Sequence, residues 1–426
     1  MKRKVLITGL GAITALGEGA GALWQAALLG RSGIDFIPVR KEFSNGAGEA
    51  WKPIGAVIRD FDPEKFIVQK KAIKVMARDI QLAVAAASLA MDDAGVKNLT
   101  TDRERFGVIV GSGVLNHELD ELAASVKNSL GTDGKLDLKK FGEEGMPALF
   151  PLWLLKYLPN MPACHVSILF DLQGPNNTIT TGASSGLQAV GEAFRIIERG
   201  SADLMLAGAA ESKLNPVGLA QYEILGVLAH FLGSDPSKAY RPFNADSNGF
   251  VIGEGSGFLV LEESEHAKRR GAKIYAELGG FGSSSRSGQV IAMKAALDEA
   301  QISPKELHYL EASGLGIPQE DDAEARAIEK VFNDESPELF VTASKPVTGF
   351  VGFSAGVLDL IISSLALFHG AIPPTLNFSH PRRSWEFNIV KSAPLRKKMQ
   401  YAMTNAFGFS GQCASVVTRR HPGAAS

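Results

Sequence analysis

Thr180-Thr181-Gly182-Ala183-Ser184-Ser185-Gly186 is the stretch whose reading decides the fold. It lies between a strand expected over Asn176–Ile179 and a helix expected from about Ser184 to Arg199. Leu187, Val190, Phe194 and Ile197 recur on one face of that helix at the 3.6-residue period, and Gly200 stands where a left-handed cap would end it. Residues 201–209 then read as a buried strand. A turn of small residues feeding a helix N-terminus suits a nucleophile, because free N–H groups and the helix dipole stabilise negative charge there. The apex of this turn, however, is Ala183, which carries no reactive atom.

The chain has 426 residues, enough for roughly three domains of average size and for a sizeable core. Hydrophobic residues make up 45% and charged residues 21%, the balance of a folded globular chain rather than a disordered one. Lys and Arg (44) nearly match Asp and Glu (46), and a net charge of -2 argues against nucleic acid as a partner. The basic clusters Lys70-Lys71, Lys268-Arg269-Arg270 and Arg396-Lys397-Lys398 read as solvated helix faces, one of which could receive an acidic protein. Two cysteines, Cys164 and Cys413, exclude a disulfide framework and a four-cysteine metal site, and they fit a reducing compartment. The basic start is followed by Val5-Leu6-Ile7, but Gly9 and Gly11 interrupt the apolar run too early for a signal peptide. No uninterrupted apolar run of about 18 residues suggests a membrane span. A cytoplasmic protein, with no membrane partner and no metal, is the expectation.

Val5–Thr8 reads as a short strand and Gly9–Gly17 as a turn, whose lone Gly-x-Gly is better explained by tight packing than by a nucleotide. The longest helix is expected over Ala72–Ala94, with Ile73, Met76, Ile80, Val84, Ala87 and Met91 on one face. Phe106–Gly111 lacks alternation, as does a strand covered on both faces. Ser112–Met146 is polar and glycine-punctuated, and Pro147–His165 is unusually apolar, fit for a pocket, a subunit interface or core packing. Cys164-His165 is a poor nucleophile–base pair, because adjacent side chains diverge on a strand and do not face each other on a helix. Glycines 249, 253, 255 and 257 imply a crowded backbone before a strand at Phe258–Leu261. A strand at 272–281, helices at 289–300 and 355–368, and a strand–turn–strand around 401–418 follow. The pattern is α/β in two halves of comparable content.

Taken together these landmarks resemble the β-ketoacyl synthases of the thiolase superfamily. The resemblance rests on the opening Val5–Thr14, Asn160-Met161 with His165, Leu172–Pro175, Asp203–Glu211, Arg241-Pro242-Phe243, Gly249-Phe250, Gly253-Glu254-Gly255, Pro373-Pro374-Thr375 with Asn377, and Asn405–Phe409. They stand in the family's order and span nearly the whole chain. The resemblance implies a thiolase-like fold of two similar α/β halves in an αβαβα arrangement, with an N-terminal half at 1–255 and a C-terminal half at 256–426. It also implies chemistry by a Cys thiolate at the helix N-terminus and by two His residues that promote decarboxylation. Counting back from Gly186 puts Ala183 at the Cys position. Ser313 stands for the first His, in Ser313–Ile317, and Phe350 for the second, in Lys345–Phe350; Asp321, Glu324 and Lys345 are retained. Two threonines that would steady a phosphopantetheine arm are Leu315 and Ile317. The loop between Gly282 and Gln289 is short, and the closing Gly-Gly-Thr-Asn has become Ser410-Gly411-Gln412-Cys413.

A family member without its nucleophile most resembles the chain length factor, the inactive ketosynthase subunit of type II polyketide synthases, although Gln is usual where Ala183 stands here. The resemblance implies a heterodimer or heterotetramer with a catalytic ketosynthase. It also implies contact with an acyl carrier protein whose phosphopantetheine arm is partner-borne, and no cofactor of its own. By position, His117, Asp120 and Ala124 match where such subunits narrow a shared tunnel, and Leu152 and Trp153 match the segment reaching toward the partner; ordinary core packing explains each equally. Two alternatives stand: an acyltransferase or hydrolase using Ser184 or Ser313, and a homodimeric acyl-binding scaffold. A Ser nucleophile needs a base, and none stands at the family's positions, so Ser184 is better read as the cap of the helix that follows.

Overall fold

The computed structural model describes residues 2–37, 53–99, 101–115, 117–286, 288–332 and 338–422. Strands β1 (Val5–Thr14), β2 (Phe106–Gly111), β3 (Asn176–Ile179), β4 (Leu204–Glu211) and β5 (Gly255–Glu263) lie side by side in the order β3-β2-β4-β5-β1. Strands β6 (Ala276–Ser284), β7 (Tyr309–Glu311), β8 (Phe340–Thr342), β9 (Asn388–Ile389), β10 (Tyr401–Phe407) and β11 (Cys413–Arg419) take the order β9-β8-β7-β10-β11-β6. In the first half β3, β2 and β4 run parallel, and β5 and β1 follow antiparallel. The second half repeats this: β8, β7 and β10 are parallel, then β11 and β6 antiparallel. Antiparallel pairing of Val5–Ile7 with Ala276–Leu278 joins the halves into one twelve-stranded sheet, which includes the short strand Gly17–Glu18 beside β1.

Helices complete five layers. Helices α1 (Arg78–Asp93), α2 (Leu119–Asn128), α3 (Met161–Phe170), α4 (Ser185–Glu198), α5 (Pro216–Ile224), α6 (Gln289–Ala300), α7 (Pro318–Phe332) and α8 (Ala355–His369) are the main ones. Helices α4 and α8 pack together in the central core with Ile109, Met205, Ala207 and Leu259. Val108, Val110, Leu204, Leu206 and Phe258 point the other way, into α1 and α3, and Leu310, Val341 and Met403 pack on α6 and α7. Adjacent residues of one strand thus enter different cores, which is why β2 shows no polar alternation. The expected thiolase-like αβαβα arrangement is what the chain adopts.

Several local expectations need correction. β1 continues to Thr14, past the turn expected from Gly9. Its glycines serve close packing: a Cβ at Gly11 would stand 2.0 Å from the Ala86 carbonyl oxygen of α1. Helix α1 starts at Arg78, because Ala77 is extended and Lys70–Ile73 is a separate short turn. Two readings that left the local structure open are now placed: the polar stretch after Ser112 contains α2, and Cys164 and His165 lie on α3. Residues 352–369 are apolar and long enough to cross a membrane, although Ser and Asp interrupt the run, but 89% of that window is buried inside the fold.

Candidate functional site

The chain enters α4 through a 3-10 turn, Gly182–Ser184, with Gly182 at φ 65. Ala183 borders a cavity of about 430 Å³ whose walls include Glu211, Tyr222, Phe350, Phe353 and Phe409. Ser184 does not border it. Its Oγ donates to the Thr181 carbonyl at 3.1 Å and accepts from Gln188 Nε2 at 3.1 Å, and the residue is fully buried. Ser184 occupies the cap position of α4 but makes no capping bond, contrary to the reading from sequence. Its backbone is already helical (φ -86, ψ -6), whereas a capping side chain is aimed by an extended backbone.

Ser313 follows β7 and serves as a tie. Its Oγ donates to the Phe407 carbonyl and accepts from the Phe407 N–H, both at 3.1 Å. Its own N–H and that of Gly314 donate to the two Glu324 carboxylate oxygens at 2.8 and 2.9 Å. Asp321 accepts from the Phe243 and Gly316 N–H groups at 2.7 and 3.0 Å. Burial raises both carboxyls, Asp321 to about 8. Lys345 Nζ lies 2.5 Å from Asp359 on α8, which also accepts from Ser344 Oγ at 2.9 Å. Glu311 accepts from Tyr309 OH, Thr342 Oγ1 and the Ser344 N–H, and burial followed by the Asp359 charge pushes it up to about 7. The retained charged residues thus hold loops to strands.

Phe350 is buried, its ring 4.4 Å from Phe250 and 6.5 Å from Phe409, centroid to centroid. Its N–H donates to the Val251 carbonyl at 2.7 Å, and its carbonyl accepts from Gly253 N–H at 2.9 Å. Ala183, Leu315, Ile317, Phe350 and Phe409 therefore belong to one apolar cluster. Ser313 joins that cluster's edge through β10: a Cβ on Gly408, next to Phe407, would stand 3.6 Å from Ala183 Cβ. Phe350, Phe353, Phe409 and Ala183 give the cavity wall a largely apolar face able to hold an apolar group.

Glu211, Lys213 and Phe353 were not singled out as site residues from sequence. Glu211 ends β4 buried, accepting from the Phe353 N–H at 2.9 Å and Tyr222 OH at 3.2 Å, with Lys213 Nζ at 3.3 Å. A carboxylate closing a wholly apolar strand, with a lysine two residues on, was the available signal, since a buried charge needs partners.

The tunnel and interface candidates lie elsewhere. The His117 ring packs on Trp153 and Tyr157 at 4.8 and 4.3 Å, and Tyr157 OH donates to Glu121. Asp120 borders a second cavity of about 610 Å³ with Arg78, Leu119 and Glu254. Ala124 and Leu152 are exposed. None of the five borders the Ala183 cavity. The same region leaves Phe150, Leu152, Leu154 and Ile168 open to solvent, and β3 forms one end of the described sheet.

A model of the β-ketoacyl synthase N-terminal domain matches residues 2–267, and one of the C-terminal domain matches residues 276–379. The chain belongs to the β-ketoacyl synthase family. The N-terminal match runs past residue 255 through β5, which hydrogen-bonds to β1 and β4. Among family members, the 3-oxoacyl-[acyl-carrier-protein] synthase 2 of Coxiella burnetii is 34% identical, over 98% of this chain and 99% of its own. A structure described as the ishigamide ketosynthase/chain length factor superposes with a TM-score of 0.84 at 26% identity, over 99% of this chain and 100% of that one. A type II polyketide acyl-carrier protein in complex with its ketosynthase bound to the hexaketide gives 0.82 at 27%, with the same coverage. The relatives from Coxiella burnetii and Vibrio harveyi carry the synthase name, and the chain length factor is named by the ishigamide structure.

Proposed function

We propose that this chain is a non-catalytic ketosynthase-family subunit, a chain length factor in kind. In this reading it pairs with a catalytic ketosynthase and works beside an acyl carrier protein in type II polyketide, polyene or fatty-acid-like synthesis. One observation carries the proposal: Ala183 stands at a helix N-terminus where the family resemblance calls for Cys, and Ser313 and Phe350 stand where it calls for the two His. Ser313 is bonded on both sides to Phe407, and Phe350 sits among aromatic rings, so neither can move a proton for a substrate. The framework carboxylates and Lys345, by contrast, remain fully engaged.

Pairing has a surface to use. Among the described residues β3 is the end strand of the sheet, so its outer edge could take a further strand, and the apolar side chains at 150–168 lie on the same half. The relatives' descriptions, which name a chain length factor and a carrier protein complex, support the partners proposed. The phosphopantetheine arm would belong to the carrier protein, and nothing in this role calls for a membrane.

Co-expression with a catalytic ketosynthase is the direct test. A stoichiometric complex whose condensation activity requires this chain is expected; a homodimer indifferent to any ketosynthase would overturn the proposal. Intact mass after incubation with acyl and malonyl carrier proteins should show no adduct on this chain. An acyl group on Ser184 would instead make it an acyltransferase.

A further inference from the structure

We propose that Phe353 is the end wall of the Ala183 cavity and sets how deep an apolar acyl chain can enter it. The inference deepens the functional reading above and rests on the cavity being a non-covalent acyl site.

The ring is aimed by fixed backbone. Gly352 is at φ 43, and a Cβ there would stand 2.0 Å from the Glu211 carboxylate, a position closed to other residues. The Phe353 N–H is held by that carboxylate at 2.9 Å. Its carbonyl presses on α4, where a Cβ at Gly186 would come within 2.4 Å of the oxygen. The ring is almost fully buried and meets three neighbours. Lys213 Nζ lies 4.6 Å from its centroid, Ala183 shares the cavity wall with it, and its tip covers Gly113. A Cβ on Gly113 would stand 2.2 Å from the ring's Cζ, so the ring can lie there only because residue 113 has no side chain.

A single phenyl group therefore separates the cavity from the backbone leading toward His117. Lys213 and Glu211 neutralise each other on the same wall, so an apolar chain arriving there meets no unpaired charge. The anchors leave the ring little freedom to swing aside, and a packed rigid wall excludes further methylenes.

The full chain, as wild type and as Phe353→Ala, would be titrated with straight-chain saturated fatty acids from hexanoate to palmitate by displacement of a fluorescent fatty acid. Affinity should rise roughly fourfold per added methylene until the chain meets the wall, then level off. Phe353→Ala should move that plateau to longer acids by several carbons while changing affinity for short ones less than about threefold. Gly113→Ala, which drives the ring toward the cavity, should move it to shorter acids, and Ile224→Ala at the rim should leave its position unchanged. An unmoved plateau in both Phe353→Ala and Gly113→Ala, or no saturable binding of any acid by the folded wild type, would overturn the inference. A chain that co-purifies with a ketosynthase but shows no such shift loses this inference alone; one that shows the shift but never pairs loses the pairing alone.

Discussion

At the start of α4 the turn Gly182-Ala183-Ser184 presents a methyl group to a cavity; at the start of α8 the turn Gly352-Phe353-Ser354 presents a phenyl ring to the same cavity. Both are single 3-10 turns, both begin with glycine at positive φ, and each is followed by a buried glycine, Gly186 against Phe353 and Gly356 against Ala406 and Leu187. The serines differ in use. Ser184 bonds back to its own turn, whereas Ser354 Oγ accepts from Gly257 N–H at 2.8 Å and so ties α8 to β5. Repeated topology dictates the backbone twice, and the side chain alone decides whether a turn makes a site or a wall. Neither turn carries a reacting group, but only the second is locked to the other half by a buried carboxylate.

That asymmetry can be broken. Gly352→Ala drives a methyl into Glu211 and strains φ, and is expected to cost more than about 4 kcal/mol in denaturant unfolding. Gly182→Ala meets nothing closer than 3.4 Å and should cost about 1–2 kcal/mol, for strain alone. Equal losses would mean the two turns are anchored alike. Next in size, Lys345→Met strands Asp359 in the core and should cost about 3–5 kcal/mol, most of it recovered by adding Asp359→Leu.

A pH series sharpens the first half's side. Burial pushes Asp79 up to about 7 from 3.8, and its carboxylate accepts from the N–H of Ser212, next to Glu211. A carboxyl raised in the folded state binds more protons folded than unfolded between those values. Its contribution to stability is therefore greatest below about pH 4 and falls as pH climbs to about 7, by a few kcal/mol at most. Asp79→Asn should flatten that part of the stability profile; an unchanged slope would place the titration elsewhere. The smallest effect on folding is expected for Ala183→Cys, within about 0.5 kcal/mol of the parent. Its new thiol should alkylate with iodoacetamide yet give no condensation product from malonyl carrier protein, because both base positions stay empty of imidazole.

Much of this architecture could be read in advance. β3, α4 and their neighbours announced themselves through the apolar stripe of Leu187–Ile197 and the cap at Gly200, which is indeed left-handed at φ 82. Ala183 could be matched by counting from Gly186, and Ser313 and Phe350 by motif; the structure brings Ala183 and Phe350 into one apolar cluster. What escaped was whatever depended on a distant surface. Gly9 and Gly11 signalled a turn by type, but their use is to admit the backbone of α1. Ser184 looked like a cap because capping is a local rule, yet its backbone had already turned helical. Phe353 was lost in the apolar run leading into α8, where one more hydrophobic residue carries no mark of the cavity it faces.

The joint between the halves has a bearing on how the chain is made. β1 pairs with β5 on one side and, over Val5–Ile7, with β6 on the other, so its ten buried residues lack their main strand partner until Gly255–Glu263 has left the ribosome. Until then the nascent chain carries an unpaired, buried-type strand, and closing the sheet waits on contacts very distant in sequence. Slow acquisition of structure, a need for chaperones and losses to aggregation at high expression follow from that seam, whatever sits in the cavity.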